Sequence, residues 1–90
     1  VALVRIPNTL RALTGGVGEL MVDGADLAAV LVSLEAQHPG FEERLMTDEG
    51  RLQGFVNVFI DDTECRRLGG LAASVGADTV VSIVPAVAGG

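Results

Sequence analysis

The chain has no lysine, tryptophan or tyrosine, a single cysteine, and three aromatics, Phe41, Phe55 and Phe59. Each shortage excludes something. With Cys65 alone there can be no internal disulfide and no multi-cysteine metal site. So few aromatics leave the core to be built from Val, Leu and Ile. Positive charge is scarce: six arginines stand against twelve acids, for a net charge of −6 at pH 7. Nucleic acid and anionic membrane both require a basic surface, so neither is an expected partner. An acidic body instead speeds encounter with basic protein surfaces. Long apolar runs are also missing. The longest, Leu27 to Val32, is far short of a membrane span. The opening segment, Val1 to Pro7, is short and carries Arg5 inside its apolar run, so no signal peptide is expected and the cytoplasm is the expected compartment.

What remains is a folded domain. Ninety residues at 49% apolar and 20% charged suit one modest core and not a disordered chain. Ala2 to Ile6 alternates and stops at Pro7, predicting a strand with Ala2, Val4 and Ile6 inward. Thr14-Gly15-Gly16 and Gly18 predict a glycine-rich turn over 8–18, returning through a second strand, Glu19 to Val22, as a hairpin. Asp26 is placed to N-cap a helix whose Leu27, Val30, Leu31 and Leu34 fall at helical spacing, ended by Pro39-Gly40. Phe41 to Met46 adds a short helical turn and Thr47 to Arg51 a polar loop. Phe55 to Ile60 is the strongest strand signal. Asn57 at its middle turns Val56, Val58 and Ile60 to the core and Phe55 and Phe59 to the other face. Asp61-Asp62 is read as a turn, Glu64-Cys65-Arg66 as a short edge strand, and Leu71 to Val75 as a connector bracketed by glycines. Asp78 to Val84, rich in β-branched residues, is the last strand.

Pro85 has no N–H for a ladder, so pairing is expected to end there. The division is a folded domain over 1–84 and a tail over 85–90, Pro85-Ala86-Val87-Ala88-Gly89-Gly90. Six extended residues can carry the terminal carboxylate roughly 20 Å from the body. A diglycine end can thread a channel too narrow for any side chain. One long helix and four or five strands predict an α+β fold, a mixed sheet with the helix on one face. If the first and last strands are central and parallel, this is the ubiquitin-like β-grasp, with the tail leaving mid-sheet.

Four stretches together resemble one family over nearly the whole chain. They are Ile6-Pro7 with Leu10-Arg11 and Thr14-Gly15-Gly16; Leu34-Glu35-Ala36 with Glu43-Arg44-Leu45-Met46; Phe55-Val56-Asn57 with Asp62 and Arg66; and Pro85 through Gly90. The chain resembles the ubiquitin-like sulfur carriers, the family of the molybdopterin synthase small subunit (MoaD) and the thiamine-pathway carrier (ThiS), and most of all its cysteine-pathway members. The resemblance implies that the Gly90 carboxylate is the reactive group. An ATP-dependent activating enzyme would adenylate it, and a sulfur donor would displace AMP to leave a thiocarboxylate. A cysteine synthase would accept the sulfur, and a protease would free the new amino acid. The chain itself would bind no cofactor, would be a monomer when free, and would act as a co-substrate rather than an enzyme, since general base and oxyanion hole come from the partners. The same end also suits a constitutive molybdopterin synthase subunit or a protein modifier conjugated through Gly90. A plain interaction domain is the remaining alternative.

Other residues are weighed against this end. Cys65 has no base or helix N-terminus to activate it and is read as passive. His38 fits a helix C-terminus and has no second histidine for a metal site. Asp61, Asp62 and Glu64 lack the spacing of a calcium loop and form a solvated turn. Arg66-Arg67 is read as surface. Phe59, with Val84 beside it on the face away from the helix, is the expected docking patch for a partner.

Overall fold

The computed structural model describes residues 1–85. The strands are β1 (Ala2–Arg5), β2 (Glu19–Val22), β3 (Val56–Ile60), β4 (Thr63–Glu64) and β5 (Val80–Pro85); the helices are α1 (Leu27–Gln37) and α2 (Phe41–Leu45). They form one mixed sheet in the order β2-β1-β5-β3-β4. β1 and β5 run parallel at its centre, and the other pairs are antiparallel. This is the β-grasp expected from the sequence, and it places the exit of the chain in mid-sheet.

Alternation decides the faces. Ala2, Val4, Val56, Val58 and Val81 are fully buried beneath α1, which contributes Leu27, Val30 and Leu34. Phe41 and Leu45 of α2 close the same core. Asp26 caps α1 as predicted, its Oδ1 accepting the Ala29 N–H at 2.8 Å. The turn into α1 needs a glycine, because a Cβ on Gly24 would sit 2.5 Å from the Val30 nitrogen.

Glu35 joins the two helices. Its carboxylate accepts the Glu42 N–H at 2.8 Å and the Gly40 N–H at 3.2 Å. These donors, Glu42 first, hold its carboxyl below the ordinary 4.5. A depressed carboxylate stabilises the fold only while ionised. Its contribution is complete above the ordinary value and is lost as pH falls through the lowered one. Glu35→Gln is therefore expected to lower Tm at neutral pH, with the gap to the parent narrowing in acid. A gap that stays constant across the acid range would refute this origin.

Three local expectations change. The segment 8–18 is not simply a turn: Asn8–Thr14 is a 3-10 helix ended by Gly15 in the left-handed region at φ 67°. It is held by Arg11 Nε donating to Ile6 O at 3.0 Å and by the buried Thr14 hydroxyl, 2.7 Å from Val17 O. The edge strand covers only Thr63–Glu64, and Cys65 opens a second 3-10 turn. Pro85 does not end the pairing but stays in register with Val56. The Asp61 N–H crosses to Val80 O, whereas the Val56 N–H turns outward to Gln53 O. Cross-strand bonds alternate along an antiparallel pair, so position 85 faces β3 without needing an N–H. A proline therefore fits there, and the folded body reaches residue 85, one further than the predicted boundary.

Candidate functional site

The predicted site is the chain end and the sheet surface beside it. Of the end, only Pro85 is described; Ala86, Val87, Ala88, Gly89 and Gly90 lie outside the described residues. Pro85 is half-buried and lines a cleft of about 330 Å³ at the top of the sheet, with Thr9, Leu10, Arg44, Gln53 and Phe55 among its walls. β5 thus delivers the chain to a rim built from the first 3-10 helix, α2 and the start of β3.

The sheet face opposite α1 carries the predicted docking residues. Val84 is 46% exposed and Phe59 is half-buried. They are not directly opposite one another. Phe59 pairs with Ser82 and Val84 with Asn57, so the two are diagonal neighbours on one face. At that offset an aromatic ring still reaches its neighbour.

The register extends this face beyond those two residues. Met21, Leu3 and Val80 stand side by side across β2, β1 and β5. In the next row the Arg5–Glu19 ion pair, at 3.5 Å, stands beside Ser82 and Phe59. The face thus carries Met21, Leu3 and Val80 at one end and Phe59 and Val84 toward the other, with Arg5, Glu19 and Ser82 between them. The sequence already held the signal for Leu3 and Met21, since strands that bury Ala2, Val4 and Val22 must turn the intervening residues outward.

Arg66 is not free surface, as the sequence suggested. Its guanidinium donates to Gln53 O at 3.1 Å, to Asn57 Oδ1 at 3.4 Å and to Glu64 Oε2 at 3.1 Å. It braces the part of β3 that the short β4 leaves uncovered, directly beside the Asn57–Val84 pair. Nothing in the local sequence around Arg66 announces a bond to a carbonyl thirteen residues earlier.

Asp61, read as part of a solvated turn, also has a structural task. Its Oδ1 accepts the Val80 N–H at 3.0 Å, and its φ of 55° makes it the one non-glycine residue in the left-handed region among those described. His38 is the C-cap of α1 through its backbone N–H, which donates to Leu34 O.

Cys65 is fully buried. Burial pushes its thiol up from the ordinary value, helped by the hydrogen bond to Glu64 and that carboxylate's charge. Only the thiolate is a good nucleophile, so this environment suppresses reactivity. If the chain end carries sulfur, as the resemblance implies, Cys65→Ser is expected to leave that loading intact in protein that folds. Loss of loading in a well-folded variant, followed by intact mass, would assign the sulfur to Cys65 instead.

The geometry is therefore a sheet face and a rim converging where β5 ends, with no cluster of reactive side chains there among the described residues. Comparison with known proteins fits that description. The ThiS family model matches residues 4–90. The sulfur carrier protein CysO of Mycobacterium tuberculosis is 44% identical over 89 residues, covering 97% of this chain and 96% of CysO. A chain of the Amycolatopsis orientalis BexX/CysO complex superposes with a TM-score of 0.94 at 38% identity, covering 100% of both chains. The small archaeal modifier protein 1 of Methanosarcina acetivorans follows with a TM-score of 0.82 at 26% identity, covering 99% of this chain and 95% of that one. With the sheet order, the buried alternation and the matched span all agreeing, this chain belongs to the ThiS family, a ubiquitin-like β-grasp protein homologous to the sulfur carrier CysO.

Proposed function

We propose that the chain is a sulfur carrier whose Gly90 carboxylate is activated and loaded by partner enzymes. A carboxylate is a poor electrophile, because its charge repels nucleophiles and oxide is a bad leaving group. In the proposed cycle a carboxylate oxygen attacks the α-phosphate of ATP on an activating enzyme, and pyrophosphate leaves. A sulfur nucleophile then attacks the carbonyl carbon of the acyl-adenylate and AMP departs, leaving a glycyl thiocarboxylate. That sulfur displaces the leaving group of an activated serine derivative on a cysteine synthase, and a protease frees the new amino acid. The carrier supplies position and a reactive end. Such a cycle, with its ATP-dependent step and biosynthetic acceptor, would run in the cytoplasm. Among the described residues no helix is long and apolar enough to cross a membrane.

One observation carries the proposal: the family match runs through residue 90, so it includes the diglycine and not only the folded body. The 44% identity to CysO favours the cysteine branch over the molybdopterin branch.

A second mode, conjugation of Gly90 to a protein amine, is favoured by the likeness to the small archaeal modifier proteins. The absence of lysine limits that mode, because no side-chain amine on one copy can receive the activated end of another. Polymeric chains linked through lysine are thereby excluded for these ninety residues.

The intact mass of the protein from its native cell tests the proposal. A thiocarboxylate makes the chain heavier by the difference between a sulfur and an oxygen atom, whereas a conjugate adds a whole protein. A chain bearing only the plain carboxylate under sulfur-replete growth, and after incubation with the activating enzyme, ATP and a sulfur donor, would overturn it.

A further inference from the structure

The helix layer carries an apolar feature that the chain-end chemistry does not use. α1 reads LAAVLVSLEAQ, with Ser33, Glu35 and Gln37 as its only polar residues. A helix that covers one face of a sheet ordinarily turns a polar side to solvent. Here Val32 is 70% exposed on the side away from the sheet. Beside it a groove of about 300 Å³ opens between α1, α2 and the loop that follows, reaching Leu71. Ala28, Val32, Met46 and Leu71 give it apolar walls.

The charge lining the groove is of one sign, and of the charged residues flanking Gly50 at its edge only Arg51 is basic. Both charged residues that line it are acids, Glu35 and Glu42, and no arginine is among its lining residues. Glu35 stays ionised because backbone N–H groups hold its carboxyl below the ordinary value. Asp48 and Glu49, both exposed, precede Gly50 at the groove's edge. Arg44, on the same short helix, is turned to the cleft beside Pro85 instead, with its guanidinium on Gly40 O at 3.2 Å.

We propose that this groove is a second docking site, taking a protein segment that carries apolar side chains flanked by lysine or arginine. Complementary charge selects such a segment and speeds its arrival, while the apolar floor supplies affinity. The site lies on the side of the molecule opposite the Phe59–Val84 face. A partner held here leaves that face and the end of β5 free, so two proteins can grip one carrier at once.

The test uses the full chain and a short synthetic peptide alternating leucine and arginine, followed by amide NMR and by titration at low and moderate salt. Saturable shifts are expected at Ala28, Val32, Glu42, Met46 and Gly50, with the Leu3, Phe59 and Val84 amides still. Ala28→Leu, which fills the groove without altering charge, is expected to weaken binding at least about tenfold, as loss of an anchor pocket does. Glu42→Arg should weaken it comparably. The equal charge change Asp62→Arg, at the distant turn between β3 and β4, should weaken it far less.

Shifts on the open sheet face, equal losses for Glu42→Arg and Asp62→Arg, or full binding by Ala28→Leu would each overturn the proposal. So would movement of the groove amides on removing residues 86–90, or on dilution, since these would assign the groove to the chain's own end or to a second copy. None of these outcomes depends on whether Gly90 carries sulfur.

Discussion

Removal of Gly90 is expected to abolish ATP–pyrophosphate exchange with the activating enzyme and to leave thermal unfolding unchanged. The two halves rest on different observations. The buried apolar set that holds the fold runs from Ala2 to Ile83, and β5 closes in register with β3 at Pro85. Residue 90 lies five positions beyond that closure, so no part of the described core depends on it. Exchange, by contrast, requires a carboxylate oxygen in line with the α-phosphate. Deleting one residue draws the carboxylate back by about 3.3–3.6 Å, whereas a misplacement of about 1 Å can already cost on the order of a hundredfold. Gly89→Ala is expected to act in the same direction, since a diglycine end can enter a channel too narrow for a Cβ. Exchange at parental rates after deletion of Gly90 would rule out activation at that terminus. A fall in Tm would instead show that the end of the chain supports the body.

Much of the scaffold that presents this end follows from patterns a single strand or helix imposes on itself. Val56, Val58 and Ile60 alternate around Asn57, and a slip of one residue would turn all three to solvent, so the face of β3 was legible. Asp26 followed by residues at helical spacing likewise announced α1 and its cap. Features that depend on particular side-chain to backbone bonds, or on partners distant in sequence, were not legible. The 3-10 helix over Asn8–Thr14 depends on Arg11 reaching back to Ile6 O and on Thr14 reaching forward to Val17 O, so glycines alone suggested a turn. Arg66 belongs to the β3 edge only because the chain folds Gln53 against it. Pro85 stayed in the ladder because its register turns its missing donor away from β3, and register is not visible in one strand. The chain end is a special case. The position of the diglycine suggested a functional terminus, but the chemistry proposed for it came from the family resemblance and not from any side-chain pattern.

Phe59→Ala is expected to weaken activation roughly thirtyfold or more while costing less stability than Val58→Ala, one residue earlier in the same strand. The two side chains point to opposite faces of β3. Val58 is fully buried beneath α1. Its truncation removes two methyl groups from a packed core, at about 2 kcal/mol when the cavity term is included. Phe59 is half-buried on the open face, between Ser82 and Glu64 and diagonal to Val84. Its loss opens no enclosed cavity. It does remove an aromatic side chain from the open face beside Val84, and losing an aromatic anchor costs about 2 kcal/mol or more of binding, which corresponds to the thirtyfold loss at about 1.4 kcal/mol per decade. Val84 immediately precedes Pro85, so a partner that grips Phe59 and Val84 also fixes the direction in which the chain end leaves. Val84→Ala should therefore weaken activation as well, with a smaller effect because less apolar surface is lost. The deciding measurement is a paired one, Tm and exchange rate for Phe59→Ala and Val58→Ala side by side. If Phe59→Ala proves the more destabilising and leaves exchange untouched, Phe59 serves the fold and the activating enzyme docks on another surface.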